Sequence, residues 1–200
     1  MTRVLLASRN RKKLAEMQRI LAPLVPDIEV LGLDDVPAYD EPRETEPTFE
    51  GNALIKARAA LAATGLPSLA DDSGLCVDAL NGMPGVLSAR WSGADKDDVR
   101  NNELLLSQLA DVPDERRGAR FVATVAFCRG DGEDVVTGEM PGRVIREMRG
   151  EGGFGYDVVF VPDGYDLTTA EMDMALKDEL SHRGKALRAM APIVAKALAS

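Results

Sequence analysis

VLLASRNRKKLAEMQRIL, residues 4–21, is the stretch that decides the class of fold. Val4–Ala7 is a short apolar run of the kind that forms a buried strand. It passes directly into a basic turn, Ser8–Lys13. Beyond the turn, Leu14, Met17, Leu21 and Leu24 recur at helical spacing and share one face. Ile28–Leu33 then supplies a second strand. Much later the period changes to two: Arg120–Arg129 puts Phe121, Ala123, Val125 and Phe127 on one face. Asp134–Met148 follows across a Gly-Asp-Gly turn, which reads as a hairpin. Early strand–helix alternation with a later hairpin predicts mixed α/β rather than a fully parallel sheet.

Between these anchors, residues 34–47 (DDVPAYDEPRETEP) form an acidic, proline-rich loop of a length that is often functional. A helix is expected from near Thr48 to Thr64-Gly65, with Leu54, Ala57 and Leu61 inward and Pro67 beyond its end. Ser68–Ala70 reads as a strand, Asp71–Gly74 as a turn, and Leu75–Leu80 as a second apolar piece. Residues 81–93 read as loop and Asp97–Leu109 as helix. A strand Asp157–Val161 ends at Pro162. Two helices, near Thr169–Asp178 and Ser181–Leu198, close the chain, with Pro192 kinking or restarting the second. No linker divides the sequence, so residues 1–200 are expected to form one domain with two lobes around a cleft.

Composition narrows the partners. A formal charge of −9 argues against a nucleic-acid polymer, which normally meets a broad basic surface. The run Val4–Ala7 is too short for a signal-peptide core or a membrane span. Two cysteines, Cys76 and Cys128, then suit a reduced, cytoplasmic protein. One histidine and two cysteines do not build an ordinary zinc site. A metal would have oxygen ligands, as Mg²⁺ or Mn²⁺ does.

Three clusters carry chemistry. Ser8–Lys13 places four cations, Arg9, Arg11, Lys12 and Lys13, at the start of a helix. Cations there oppose the helix dipole, whereas an anion is favoured by it and by the unpaired N–H groups. Ser8 and Asn10 add neutral donors. There is no glycine in the turn, so it is not a Walker loop. SHRGK, residues 181–185, opens another helix with His182, Arg183 and Lys185, and Lys177 lies one turn upstream. Two cationic helix starts on an acidic protein imply a concentrated anion such as a polyphosphate. GGFGYD, residues 152–157, offers close backbone approach at its glycines and Phe154 or Tyr156 for stacking on a flat ring.

LADDSG, residues 69–74, supplies carboxylates. On a strand Asp71 and Asp72 would face opposite ways, so the expectation is a turn made feasible by Gly74. One aspartate would face metal and water and the other support the turn. Mg²⁺ on a triphosphate takes one or two protein carboxylates, with Asp71, Asp72, Glu41, Glu44, Glu46 and Glu50 as candidates. A carboxylate beside the metal can also activate water for attack on phosphorus.

The sequence S-x-N-x-x-K, FEGNALIKARAA, LADDSGLCVDALNGMPGVLSARWSG, GEGGFGYDVVF and SHRGKAL, in that order, resembles the inosine/xanthosine triphosphate pyrophosphatases. The likeness runs from Val4 to about Leu187. It implies an elongated mixed α/β fold with two lobes, a substrate cleft and usually a homodimer. It implies Mg²⁺-dependent hydrolysis of ITP, dITP and XTP to the nucleoside monophosphate and pyrophosphate. By motif, Ser8, Arg9, Asn10, Arg11, Lys12 and Lys13 would hold phosphates. Asp72 would be the metal-bound general base, Glu44 a second metal carboxylate, and Ser73 a substrate contact. Phe154, Gly155, Tyr156, Asp157, Lys177, His182 and Arg183 would hold base and sugar. Arg9 stands where many relatives have a small residue, and Trp91 where Tyr is common.

Two other readings compete. One is a pyrophosphatase of similar architecture for modified pyrimidine or methylated nucleotides. The other is a nucleotide-binding regulator without turnover; paired acids at 71–72 argue against it, since a pure anion binder gains little from them.

Overall fold

The computed structural model describes residues 2–23 and 25–198, Thr2 by its backbone alone. Leu24, expected on the inner face of the first helix, lies outside the described residues. The chain runs β1 (Thr2–Leu6), α1 (Arg11–Leu21), β2 (Ile28–Leu31), α2 (Phe49–Thr64), β3 (Ser68–Val77) and α3 (Asp98–Gln108). It continues with β4 (Gly118–Arg129), β5 (Gly132–Val144), β6 (Phe160–Pro162), α4 (Met174–Leu180) and α5 (His182–Leu198). The six strands form one sheet in the order β2-β1-β3-β4-β5-β6. β1 is parallel to both β2 and β3, with Leu5 opposite Leu31 and Ser68. β5 and β6 are antiparallel. The sheet is therefore mixed, as the change of period predicts.

The chain divides into two compact units. The first holds residues up to Asp72, Ala123–Gly138 and those from Arg183 onward. The second holds Ser73–Val122 and Glu139–His182. In the first, Val4, Leu6, Met17 and Leu21 pack with Phe127 and with Leu187, Met190 and Val194 of α5. A second apolar cluster joins Leu5, Ala53, Ala57, Ala60, Ala70 and Ala126. The second unit packs Leu75, Val77, Leu105, Leu109, Phe121, Tyr156, Val159 and Phe160.

Helix ends follow local chemistry. Asn10 caps α1 by accepting from the N–H groups of Lys12 and Lys13. Thr48 caps α2 by accepting from Gly51, and Gly65 closes that helix at φ 71°. Asp97 caps α3.

Several expectations are corrected. Asp71–Gly74 is not a turn: β3 is continuous from Ser68 to Val77. The local turn preference of Asp, Ser and Gly yields to strand pairing. Gly74 serves close packing instead, because a Cβ there would lie 2.4 Å from both the Gly85 carbonyl and Ser88 Oγ. On α2 the buried positions are Asn52, Ala53, Ala57 and Ala60, with Leu54 and Leu61 at the margin. Small alanines let that helix approach the sheet closely. β4 is buried on both faces rather than one. Residues 85–90 form a 3₁₀ turn inside the expected loop. The strand expected at 157–161 lies instead at Phe160–Pro162, and the penultimate helix, expected near 169–178, at Met174–Leu180. α5 runs through Pro192 without restarting; apolar packing on either side of the proline holds it.

Candidate functional site

In the first unit the chemistry gathers around the middle of β3. Asp71 and Asp72 are successive strand residues and so face opposite ways. Asp71 Oδ2 accepts from Lys13 Nζ at 2.9 Å and from Arg183 Nε at 3.1 Å. Asp72 accepts from Asn52 Nδ2 at 3.1 Å and lies 3.8 Å from Lys56 Nζ. Lys56 serves both residues: it donates to the backbone carbonyl of Asp71 at 2.7 Å and to Glu44 at 2.9 Å. Lys56 thus meets the backbone of one aspartate and the carboxylate of the other without a turn in the strand.

The two carboxyls end in opposite electrostatic states. Burial alone would push Asp71 up, but Lys13, Arg183 and Lys56 outweigh it and hold the carboxyl well below its ordinary range. Burial pushes Asp72 up to about 6; Lys56 opposes the rise and Glu44 adds to it. Asp71 is thus a fixed anion among three cations. Asp72 is a carboxylate near neutrality that can take a proton. For Lys13, burial and the neighbouring Arg183 and Lys56 lower its pKa against the pull of Asp71. Lys56 is shifted upward, because its three carboxylate neighbours exceed the effect of burial.

Around the basic turn, Ser8 Oγ accepts from the Asn10 N–H, and Asn10 caps the helix. Of the turn's cations, Lys13 reaches the aspartates. Arg9 instead pairs with Glu41 and Asp34 on the acidic loop, where its side chain is half exposed. Arg11 and Lys12 are exposed. Glu44, also on that loop, is brought to the aspartates by Lys56, and the Glu46 N–H donates to Asn52.

Arg183 departs from expectation. It is 3% exposed, and its guanidinium is committed to Asp71 and Glu16. Its Nε and Nη1 edges are thereby turned to carboxylates of this chain.

In the second unit the residues of 152–157 gather around Asp157. Its carboxylate accepts from Lys177 Nζ at 2.7 Å, Thr169 Oγ1 at 2.7 Å and the Phe154 N–H at 2.9 Å. Gly153, at φ +76°, is required there, since a Cβ would sit 2.1 Å from Asp157 Oδ2. Lys177 also lies over the half-buried Phe154 ring, 5.8 Å from its centre. Tyr156 is not a stacking platform. Its ring is buried in the core and its hydroxyl donates to the Ser88 carbonyl. The His182 ring is stacked on Phe121 with centroids 4.9 Å apart. Ser73 is half-buried.

Sequence reading missed Glu16, Asn52, Lys56 and Thr169. Asn52 and Lys56 are four apart on α2, hence on one face, and that spacing was the available signal. Glu16 and Thr169 act only through contacts remote in sequence, for which no spacing exists.

The first unit is thus a mixed α/β frame that sets a buried acid pair against Lys13 at the start of α1. The chain belongs to the Ham1 family, whose model matches residues 4–193. It is 64% identical over 197 residues to a dITP/XTP pyrophosphatase of Nocardia farcinica, covering 98% of this chain and 96% of that protein. A crystal structure of the nucleoside-triphosphatase, dITP/XTP pyrophosphatase, of Mycobacterium abscessus is 54% identical with TM-score 0.79, over 96% of this chain and 100% of that one. The structure of a HAM1 protein from Coxiella burnetii matches at 38% identity and TM-score 0.88, covering 98% of this chain and 100% of its own.

Proposed function

We infer that the chain is a dITP/XTP pyrophosphatase. It hydrolyses ITP, dITP and XTP to the monophosphate and pyrophosphate, removing deaminated purines before their incorporation into DNA and RNA. The observation that carries this reading is the division between Asp71, held ionised, and Asp72, raised to about 6. An anion binder has no use for a proton acceptor beside its ligand; a hydrolase does. Relatives named for that activity over nearly the whole chain support the substrate class.

In the proposal Asp72 takes a proton from water as its oxygen attacks phosphorus. The bond between the α- and β-phosphates breaks, and pyrophosphate leaves. Free of metal, the Asp72 carboxyl, pushed up to about 6, is already ionised at neutral pH, as a general base must be. Ser8, Asn10, Arg11, Lys12 and Lys13 hold phosphate oxygens at the start of α1, where the helix dipole favours an anion. Arg9, tied to the acidic loop, orients that loop, and Ser73 contacts the substrate. Phe154, Gly155, Asp157, Lys177 and His182 hold the base and sugar, with Tyr156 anchoring the turn. Lys177, less buried than Arg183, is assigned the donor to a 6-oxo group. Arg183 is assigned to keeping Asp71 in place.

Asp72 and Glu44 suit Mg²⁺, since both already touch one ammonium and Mg²⁺ takes one or two carboxylates with substrate phosphates. When bound, Mg²⁺ would draw charge from the phosphate oxygens. A homodimer in the cytoplasm completes the proposal. Among the described residues no helix is long and apolar enough to cross a membrane.

The test is pyrophosphate release from ITP, XTP, dITP, GTP, ATP and dUTP, with and without Mg²⁺. Mg²⁺-dependent release confined to the first three is expected. Preference for dUTP, or binding without release, would support one of the competing readings instead.

A further inference from the structure

The turn that carries Phe154 and Asp157 is fastened from outside by two residues of α3. The Gly155 N–H donates to Asp98 Oδ2 at 2.7 Å, and its carbonyl accepts from Asn102 Nδ2 at 2.8 Å. Both polar groups of one residue are therefore held by one helix face, since Asp98 and Asn102 are four apart. Asn102 also donates to the Asp98 carbonyl at 2.7 Å, which locks the amide in that orientation. The residue is 1% exposed, and its Oδ1 has no hydrogen-bond partner among the described residues. An apolar residue would fill that space without an orphaned acceptor. What the amide supplies in return is its N–H contacts, one of which is the grip on Gly155.

We propose that Asp98 and Asn102 are positioning residues for nucleobase recognition, setting the height and angle of the 154–157 turn. Gly155 lies between Phe154, whose ring faces the Lys177 ammonium, and Tyr156, whose hydroxyl is fixed to Ser88. Tyr156 fixes one side of the turn to the core, and the α3 clamp fixes the peptide next to Phe154. Without the clamp the turn moves as a unit, Phe154 still bonded to Asp157, and loses the tie that sets its place on α3. Neither Asp98 nor Asn102 needs to touch substrate. The proposal rests on the reading that this turn holds the base.

The experiment compares wild type with Asn102→Asp, Asn102→Leu, Asp98→Ala and Asp98→Asn, measuring kcat and KM for ITP and for ATP. Asn102→Asp keeps the shape but puts an acceptor against two carbonyls. In Asn102→Asp, Asn102→Leu and Asp98→Ala, KM for ITP should rise about tenfold, the scale of one net hydrogen bond, with kcat nearly unchanged. The ITP-to-ATP ratio of kcat/KM should fall by a similar factor. Asp98→Asn retains a carbonyl acceptor for Gly155 and should recover most of the loss. Unchanged KM and ratio in Asp98→Ala, or a loss confined to kcat, overturns the clamp. Should the Asn102 variants not fold, the Asp98 pair decides alone. Wild-type protein that releases no pyrophosphate from ITP, XTP or dITP overturns the underlying activity instead, so the two failures are distinguishable.

Discussion

Asp71 and Asp72 are adjacent, chemically identical and both nearly buried, yet substitution should move stability in opposite directions. Asp71→Asn leaves Lys13, Arg183 and Lys56 around a neutral amide. Removing one partner of a buried ionic cluster costs about 3–5 kcal/mol, because the remaining charges stay desolvated. Asp71 has a lowered pKa, so its stabilising contribution is present at neutral pH and lost only as strong acid protonates it. Asp72→Asn removes a carboxylate whose ionisation burial already disfavours, so at pH 7 that variant should gain stability. Its turnover should fall by ~10²–10⁴-fold from loss of the general base, and further if a metal ligand goes with it. Urea denaturation at pH 7 checks the first pair of effects and pyrophosphate release the last. Destabilisation by both substitutions, or an active Asp72→Asn, would show that the roles have been divided wrongly.

At the scale of elements, β3 carries Asp71 and Asp72, and its packing is testable at Gly74. A Cβ there would press on the Gly85 carbonyl and Ser88 Oγ, and Ser88 Oγ also accepts from the Leu75 N–H. Gly74→Ala should therefore cost about 1–3 kcal/mol, the range for overpacking, seen as a lower urea midpoint with unchanged slope. A midpoint equal to wild type would mean that the 85–90 turn shifts freely. The same strand marks the limit of sequence reading. The ends of α2 were legible because Thr48 and Gly65 carry their own capping chemistry. The basic turn was legible because cations at a helix start conflict with the dipole. Asp71–Gly74 misled because every residue in it prefers a turn, while the pairing that makes it a strand comes from segments far away in sequence. Lys56 was passed over for a related reason: on an alanine-rich helix a lysine reads as solvated. The Arg183 contact with Asp71 has no local signal either, since nothing near residue 183 reveals a carboxylate at 71.

Across the whole molecule, proton uptake ties folding to ligand binding through Asp72. The unfolded chain's carboxyl has an ordinary pKa near 4, and the folded one about 6. Between these values the folded state binds more protons than the unfolded state. Stability from this group therefore falls as pH rises from about 4 to 6 and stays lower above that. The difference between Asp72→Asn and wild type, free of ligand, should grow across that window to about 3 kcal/mol, at roughly 1.4 kcal/mol per pH unit. Comparing the two proteins cancels every other titrating group common to both. Ligand reverses the trend, because Mg²⁺ and a triphosphate favour the ionised carboxyl. With Mg²⁺ and a non-hydrolysable α,β-methylene ITP, the rise in Tm of the wild type should be largest above pH 6. Below it the affinity should fall by up to about tenfold per pH unit, as one proton is displaced on binding. Asp72→Asn should show a small rise that hardly varies with pH. A wild-type response flat between pH 5 and 8 would mean that Asp72 is already ionised throughout that range, and the elevated proton affinity assigned to it would be wrong.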